Sequence, residues 1–208
     1  MDRHKWDERY AASQQTFPLE PNPLVADEVA GLRPGRALDL AAGEGRHSVW
    51  LAAQGWDVVA VDHSVVGLRR AQARARAEGV RVALAVADVH LLRLPRRSFD
   101  LVLAAFFHPR PPERAALYGA VAPALAPGGT LLLVSYDVAN LTEGSGGPQD
   151  AEVLLQPARF AAELSALGLD VARADTVRLR VPAPDGNEVD VVDAVIRATA
   201  PAATMPGA

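Results

Sequence analysis

From Arg36 onward, short apolar runs alternate with longer segments of helical periodicity, and this alternation constrains the fold more than any other feature. Val58–Val61, Leu101–Ala105 and Leu131–Val134 are nearly continuous apolar runs, as in strands that are covered on both faces. Parallel neighbours need crossover connections, and the intervening segments are long enough to be helices. We therefore predict an α/β fold with a doubly wound, mostly parallel sheet.

The last third of the chain has a different pattern. Val171–Val181 and Glu188–Thr199 alternate as strands, and the Pro-, Gly- and Asn-containing segment between them is typical of a hairpin turn. This predicts an antiparallel pair at one end of the sheet. Upstream, we predict a helix over Pro112–Ala126, a strand over Gly129–Ser135 and, near the middle of the chain, a strand over Val80–Val86.

The 208 residues suit one compact domain, which we place at 1–199, with a lid at about 1–22 and a disordered tail at 200–208. The absence of cysteine excludes disulfides and thiolate chemistry. A formal net charge of -4 argues against a nucleic-acid partner. Residues 1–10 are charged, and no apolar run approaches the ~20 residues of a membrane span. We expect a cytoplasmic monomer or homodimer without a membrane partner.

A glycine loop between the first predicted strand and its helix is the first functional motif. It begins at Asp39, carries Gly43 and Gly45, and leads into Arg46. Ligands of open α/β sheets bind at the carboxyl ends of the strands, and glycine lets the backbone approach them closely. Asp62 ends the second strand, where a carboxylate can accept hydrogen bonds from both ribose hydroxyls. The loop and the acid together predict a nucleotide-type ligand.

Two classes of ligand are compatible with this motif. The dinucleotide fingerprint Gly-x-Gly-x-x-Gly is incomplete, because Ser48 stands at the third glycine position. The pattern Asp-x-x-x-Gly-x-Gly fits better and resembles motif I of class I methyltransferases that use S-adenosylmethionine (SAM). Ala41 stands where that family usually has a further glycine. A tight turn without a ligand is the structural alternative.

Later motifs extend the resemblance over roughly residues 36–135. Asp88-Val89 follows the third strand, Ser98-Phe99-Asp100 precedes the fourth, and Pro127-Gly128-Gly129 precedes the fifth. The resemblance implies a Rossmann-like sheet of seven strands in the order 3-2-1-4-5-7-6, with strand 7 antiparallel. It also implies SAM as cofactor, S-adenosylhomocysteine (SAH) as product, and methyl transfer to a small molecule. The cofactor residues that it implies are Tyr10, Asp39, Ala41, Gly43, Gly45, Arg46, Asp62, His63, Asp88, Val89 and Ala104.

The resemblance also implies how SAM would be oriented. The Gly43–Gly45 loop would face its methionine part, Asp62 its ribose, and His63 and Val89 its adenine. Asp39 orients the methionine ammonium, although a structural role in the turn fits Asp39 and Asp100 equally well. Tyr10 or Arg46 would contact the carboxylate. The segment around Trp6 and Tyr10 resembles small-molecule methyltransferases of the tellurite-resistance and thiopurine type.

The residues that would bind the methyl acceptor are less well defined by the sequence. Trp6, Phe106, Phe107 and Tyr136 are candidate substrate residues, and His108 is the candidate acid/base because it follows strand four beside two aromatic residues. Core packing for the aromatic residues and a turn role for His108 before Pro109 are the alternatives. The histidines share no metal-ligand spacing, so we expect no metal site.

Two other functions remain open. A SAM-binding protein without transferase activity would carry the same cofactor motifs. An NAD(P)-dependent oxidoreductase would use a related fold, but Lys5 is the only lysine, so a Tyr-x-x-x-Lys dyad is absent.

Overall fold

The computed structural model describes residues 3–13, 15–182 and 186–203. The strands, in chain order, are β1 (Arg36–Leu40), β2 (Asp57–Asp62), β3 (Ala83–Val86), β4 (Phe99–Ala105), β5 (Leu125–Tyr136), β6 (Asp170–Pro182) and β7 (Glu188–Thr199). The helices are α1 (Arg3–Ala11), α2 (Pro23–Val29), α3 (Arg46–Ala53), α4 (Val65–Ala77), α5 (Pro111–Val121), α6 (Asn140–Glu143) and α7 (Pro157–Ala166).

The strands form one seven-stranded sheet in the order β3-β2-β1-β4-β5-β7-β6. β7 runs antiparallel to both of its neighbours, and the other pairs are parallel. This confirms the predicted fold class and strand order. The order reverses between β1 and β4, so the ligand-binding crevice is expected at the carboxyl ends of these two strands.

Apolar residues cover both faces of the sheet. On one face, the central strands pack against α5 and α7 through residues such as Leu117 and Leu164. On the other face, they pack against α2 and α3 through residues such as Val25 and Leu51. Leu101, Leu103 and their neighbours are fully buried, which explains why the strands read as continuous apolar runs.

Three predicted boundaries were wrong. The α-helix predicted over Pro112–Ala126 ends at Val121 and is followed by a 3-10 turn over Ala122–Ala124, because Pro123 lacks the N–H that a further α-helical hydrogen bond requires. β5 therefore starts at Leu125, four residues before the predicted start of Gly129–Ser135. The strand predicted over Val80–Val86 begins only at Ala83, because the Val80 N–H completes the end of α4 by bonding to Ala75.

The predicted hairpin turn includes residues 183–185, and the predicted tail includes residues 204–208. Both segments lie outside the described residues. Within the described ranges, no helix combines the length and the apolar character that crossing a membrane requires.

Candidate functional site

The glycine loop connects β1 to α3 through three residues with positive φ. Ala41 (φ 55°), Gly43 (φ 54°) and Gly45 (φ 75°) all lie in the left-handed region. A side chain at Gly43 would lie 2.4 Å from the Tyr10 hydroxyl, and one at Gly45 would lie 2.7 Å from Ala71. Ala41 adopts this conformation although it has a side chain, at a cost of about 1–2 kcal/mol. The loop is therefore built for close approach of its neighbours.

Asp62, at the end of β2, contacts this loop directly. Its carboxylate is buried and accepts the N–H of Gly43 at 2.8 Å and the N–H of Ser64 at 2.7 Å. Each carboxylate oxygen has a second lone pair that can accept a further hydrogen bond. Asp62 thus connects the glycine loop to the end of β2, and its carboxylate can accept further hydrogen bonds there.

Asp39 is a buried carboxylate on the other side of the loop. It accepts a hydrogen bond from the Ser48 hydroxyl at 2.5 Å and is 2% exposed. Burial, with a smaller contribution from the charge of Asp62, raises the pKa of Asp39 to about 7. Ser48, which replaces the third fingerprint glycine, therefore anchors the acid that begins the motif. Asp100, in contrast, accepts the N–H of Arg36 at 2.7 Å at the opposite edge of the sheet, which is a structural role.

The N-terminal helix lies over the glycine loop. Tyr10 is 4% exposed, and its ring stacks on Trp6 with a centroid distance of 5.4 Å. Burial, followed by the negative charges of Asp62 and Glu44, raises the pKa of the Tyr10 phenol. Asp7 fastens the helix by accepting the Ser64 hydroxyl at 2.5 Å. The structure therefore brings the Tyr10 side chain to the cofactor motif from a distant part of the sequence.

The segment after α1 is fastened to the same region. Glu44 accepts the N–H of Thr16 at 3.1 Å and pairs with Arg70 at 2.5 Å. Arg46 donates to the Glu20 carbonyl at 2.5 Å, so in this conformation it contacts the N-terminal segment. Its predicted contact with a cofactor carboxylate stays a prediction, as does the lid role of residues 1–22.

The residues predicted for the adenine end differ in exposure. Val89 and Ala104 are buried in the core, whereas His63 is half-buried. Asp88 is exposed and caps a short 3-10 turn by accepting the His90 N–H at 2.9 Å. All four lie near the carboxyl edge of the sheet, and their contact with an adenine stays a prediction.

The predicted acceptor residues cluster after β4 and β5. His108 and Ser135 share a hydrogen bond of 2.9 Å between Nε2 and Oγ, and the His108 ring stacks on Tyr136 at 6.1 Å. Burial lowers the pKa of His108 to about 4, so its imidazole is neutral at pH 7. Phe106 meets Tyr136 edge-on at 5.4 Å and has φ 53°, an unusual conformation for a bulky residue. Strain of this kind is often found at functional sites.

Phe107 and Trp6 lie at the margins of this cluster. Phe107 is half-buried and contacts the ring of His90 at 5.6 Å, so it links the loops after β3 and β4. Trp6 is half-buried on α1, where the exposed Arg9 stacks on it at 5.1 Å. Their contact with a substrate stays a prediction.

The loop after β5 holds Tyr136 in place. A side chain at Gly147 would lie 2.8 Å from the Tyr136 ring, so only glycine fits there. Asn140 fastens the loop by accepting the Val192 N–H at 2.8 Å and donating to the Gly146 carbonyl at 3.0 Å. The Gly- and Ser-rich composition of this segment thus reflects close packing against an aromatic side chain.

Sequence reasoning missed Asp7, Ser135 and Asp193. Asp193 was recognisable, because it is a charged residue inside the apolar run Val191–Ile196 of β7. Asp7 and Ser135 gave no such signal, since polar residues are common in exposed helices and at strand ends. In the described part of the chain, no three His, Asp or Glu side chains are grouped as a metal ion requires.

Comparison with known proteins shows which family part of this chain resembles. Residues 37–129 match a family described as "Methyltransferase domain". An uncharacterised protein of Mycobacterium tuberculosis is 32% identical over 126 residues, which are 60% of this chain and 45% of that protein. The demethylmenaquinone methyltransferase of Thermus thermophilus is 34% identical over 105 residues, or 50% of this chain and 48% of the enzyme. The chain thus matches less than half of the length of these relatives.

The fold also matches a solved structure. A SAM-dependent methyltransferase from Methanosarcina mazei superposes with a TM-score of 0.68 and 19% identity, covering 88% of this chain and 99% of that one. At this identity the likeness concerns the fold.

Proposed function

We propose that this chain is a class I SAM-dependent methyltransferase, which binds SAM at its glycine loop and transfers the methyl group to a small-molecule acceptor. The observation that carries this proposal is the hydrogen bond of 2.8 Å between the Gly43 N–H and Asp62. It joins a close-approach loop to a buried acid at the carboxyl edge of the sheet, where an open α/β fold binds its ligand.

The residues present fit this cofactor. Asp39 is a buried carboxylate whose hydrogen-bond partner is a neutral hydroxyl, so a methionine ammonium would complement its charge. Asp62 keeps lone pairs for ribose hydroxyls, and the Tyr10 hydroxyl lies beside the glycine loop, where it can donate to a carboxylate. A dinucleotide fits less well, because Ser48 occupies the third glycine position and donates to Asp39.

When bound, SAM supplies a methyl group that is activated by its positively charged sulfur. The protein then has to align the acceptor with that methyl group and exclude water. Phe106 and Tyr136, whose rings meet edge-on at 5.4 Å, would form the apolar surroundings for this step. His108, which is neutral at pH 7, would take a proton from an acceptor that must lose one.

A small acceptor is supported by two observations. The net charge of -4 disfavours a polyanionic acceptor. The Thermus thermophilus relative is named for a small molecule, demethylmenaquinone.

Calorimetric titration with SAH tests the cofactor half of the proposal. We expect saturable binding at micromolar concentrations and none with NAD or NADP at the same concentrations. A protein that binds a nicotinamide cofactor instead, or shows no heat with SAH, contradicts the proposal.

Product detection tests the transfer half. We expect incubation with SAM and a panel of small acceptors to yield SAH and a methylated product by mass spectrometry. A protein that binds SAH tightly but never forms it from SAM, with any acceptor class, would instead be a SAM-binding protein without transferase activity.

A further inference from the structure

Asp193 is a buried carboxylate beside the acceptor residues. It lies directly opposite Tyr136 in the antiparallel β5–β7 pair, so the two side chains leave the same face of the sheet. Asp193 is 2% exposed, and its Oδ1 atom has no hydrogen-bond partner. Directly opposite residues of an antiparallel pair have Cβ atoms about 4.5–5.5 Å apart. In line with this register, burial, followed by the negative charge of Asp193, raises the pKa of Tyr136. An orphaned carboxylate oxygen therefore lies next to the Tyr136 side chain.

The nearest acid in this region is fully satisfied, whereas Asp193 is not. Asp137 accepts the Ala139 N–H at 2.8 Å and the Thr176 hydroxyl at 2.6 Å. Farther along β7, the exposed Asp190 pairs with Arg180 at 3.2 Å. No arginine or lysine forms such a pair with Asp193 among the described residues. A buried carboxylate oxygen without a hydrogen-bond donor is costly, so Oδ1 of Asp193 points to a ligand that supplies the missing donor.

The groups around Asp193 favour a positively charged donor. Asp137 adds a second negative charge, and the faces of Tyr136 and Phe106 attract cations. His108 is neutral and does not repel one. Arg9 is the positive group that acts on Tyr136, but it is exposed and its guanidinium already stacks on Trp6 and Phe17.

We propose that the acceptor is an amine that enters as its ammonium ion, and that Asp193 is the residue that selects it. The proposal rests on the function proposed above and names the substrate class of that site. Asp193 would receive an N–H of the ammonium, and Tyr136 and Phe106 would surround its substituent. His108, which stacks on the Tyr136 ring, would lie within reach of the same nitrogen.

The chemistry balances without a further reactant. The ammonium first gives one proton to the Asp193 carboxylate, which frees the nitrogen lone pair. That lone pair forms the new N–CH3 bond while the C–S bond of SAM breaks and its electron pair goes to sulfur. The products are SAH and a methylated ammonium, and the proton on the protein passes to water.

Ligand-observed NMR on the SAH-loaded protein tests the selection. The probes are 2-phenylethylamine and its neutral isostere 2-phenylethanol, and the variants are Asp193→Asn and, as a matched control, Asp190→Asn. We expect wild type and Asp190→Asn to bind the amine at least about tenfold more tightly than the alcohol, which Asp193→Asn would no longer do. All three proteins should bind SAH equally, which also shows that the Asp193→Asn variant is folded.

The outcomes separate the two proposals. Failure of wild type to bind SAH overturns the proposed function and this inference with it. Binding of SAH without a preference for the amine overturns only the inference. An Asp193→Asn variant that keeps the amine preference also overturns it, because Asp193 would then be a protonated structural residue that asparagine can replace.

Discussion

At the scale of single residues, Asp62 is central to the proposed cofactor site. Its carboxylate accepts the backbone N–H groups of Gly43 and Ser64 and keeps lone pairs that can accept further hydrogen bonds. Hydrogen bonds to a charged group contribute about 1.5–3 kcal/mol each. Loss of this carboxylate should therefore affect both the loop and the ligand.

We expect Asp62→Ala to weaken SAH binding by about tenfold to a hundredfold. His108→Ala should change it by less than about threefold, because His108 bonds to Ser135 on the acceptor side. Calorimetric titration of both variants measures the difference. Equal losses would contradict the separation of the cofactor and acceptor sites.

The raised pKa of Asp39 leads to a second prediction at the residue scale. Burial raises its pKa to about 7, so it ionises as the pH rises through neutrality. If the carboxylate receives the methionine ammonium, SAH affinity should rise between pH 6 and pH 8, by up to about tenfold per unit near the lower end. Asp39→Asn should bind SAH more weakly at pH 8 and show little dependence on pH. An unchanged pH profile in the variant would mean that Asp39 serves only the turn with Ser48.

At the scale of elements, the alternation of apolar runs and helical segments, together with the resemblance to a methyltransferase, was sufficient to predict the sheet, its order and the antiparallel β7. It did not predict where α5 ends, because a Pro inside an apolar stretch does not reveal whether the helix kinks or stops there. Pro123 stops it, and β5 gains the residues from Leu125. The structure brings Asp39, Gly43 and Asp62 together at one loop, and their contact with a cofactor stays a prediction.

Contacts that depend on tertiary packing were harder to predict. Asp7 bonds to Ser64, 57 residues away, and Asp193 meets Tyr136 only because β7 pairs with β5 in one register. A shift of that register by one residue would turn Asp193 to the other face of the sheet. Periodicity alone does not determine register, so Asp193 was missed even though its charge interrupts an apolar run.

The junction of α5 and α7 gives a prediction about elements. Arg114 of α5 is 2% exposed, pairs with Glu163 of α7 at 3.0 Å and lies 4.3 Å above the Phe160 ring. Glu163→Ala leaves this buried guanidinium without its carboxylate, so we expect a loss of about 2 kcal/mol in the free energy of unfolding.

Arg159→Ala is the matched control, because Arg159 pairs with the same Glu163 from an exposed position. We expect it to cost less than about 0.5 kcal/mol in the free energy of unfolding. Urea denaturation measures both variants. Similar losses would show that burial of Arg114 does not set the strength of this contact.

At the scale of the whole molecule, four buried groups control stability between about pH 4.5 and 6.5. Burial lowers the pKa of His47 to about 3 and of His108 to about 4, so the folded state binds fewer protons there than the unfolded state. Burial raises the pKa of Asp39 to about 7 and of Asp193 to about 6, so the folded state binds more. The histidines make stability rise with pH and the aspartates make it fall.

We therefore expect the urea midpoint of the wild-type protein to change little across this window. Asp39→Asn removes one of the two groups that make the free energy of unfolding fall as the pH rises. The free energy of unfolding of this variant should therefore rise with pH by up to about 1.4 kcal/mol per pH unit. Asp57→Asn is the control, because the Asp57 side chain is 80% exposed and should leave the profile flat. A wild-type midpoint that climbs steeply from about pH 4.5 to 6.5 would mean that the histidines act without opposition, and that Asp39 and Asp193 are ionised in the folded protein throughout this range.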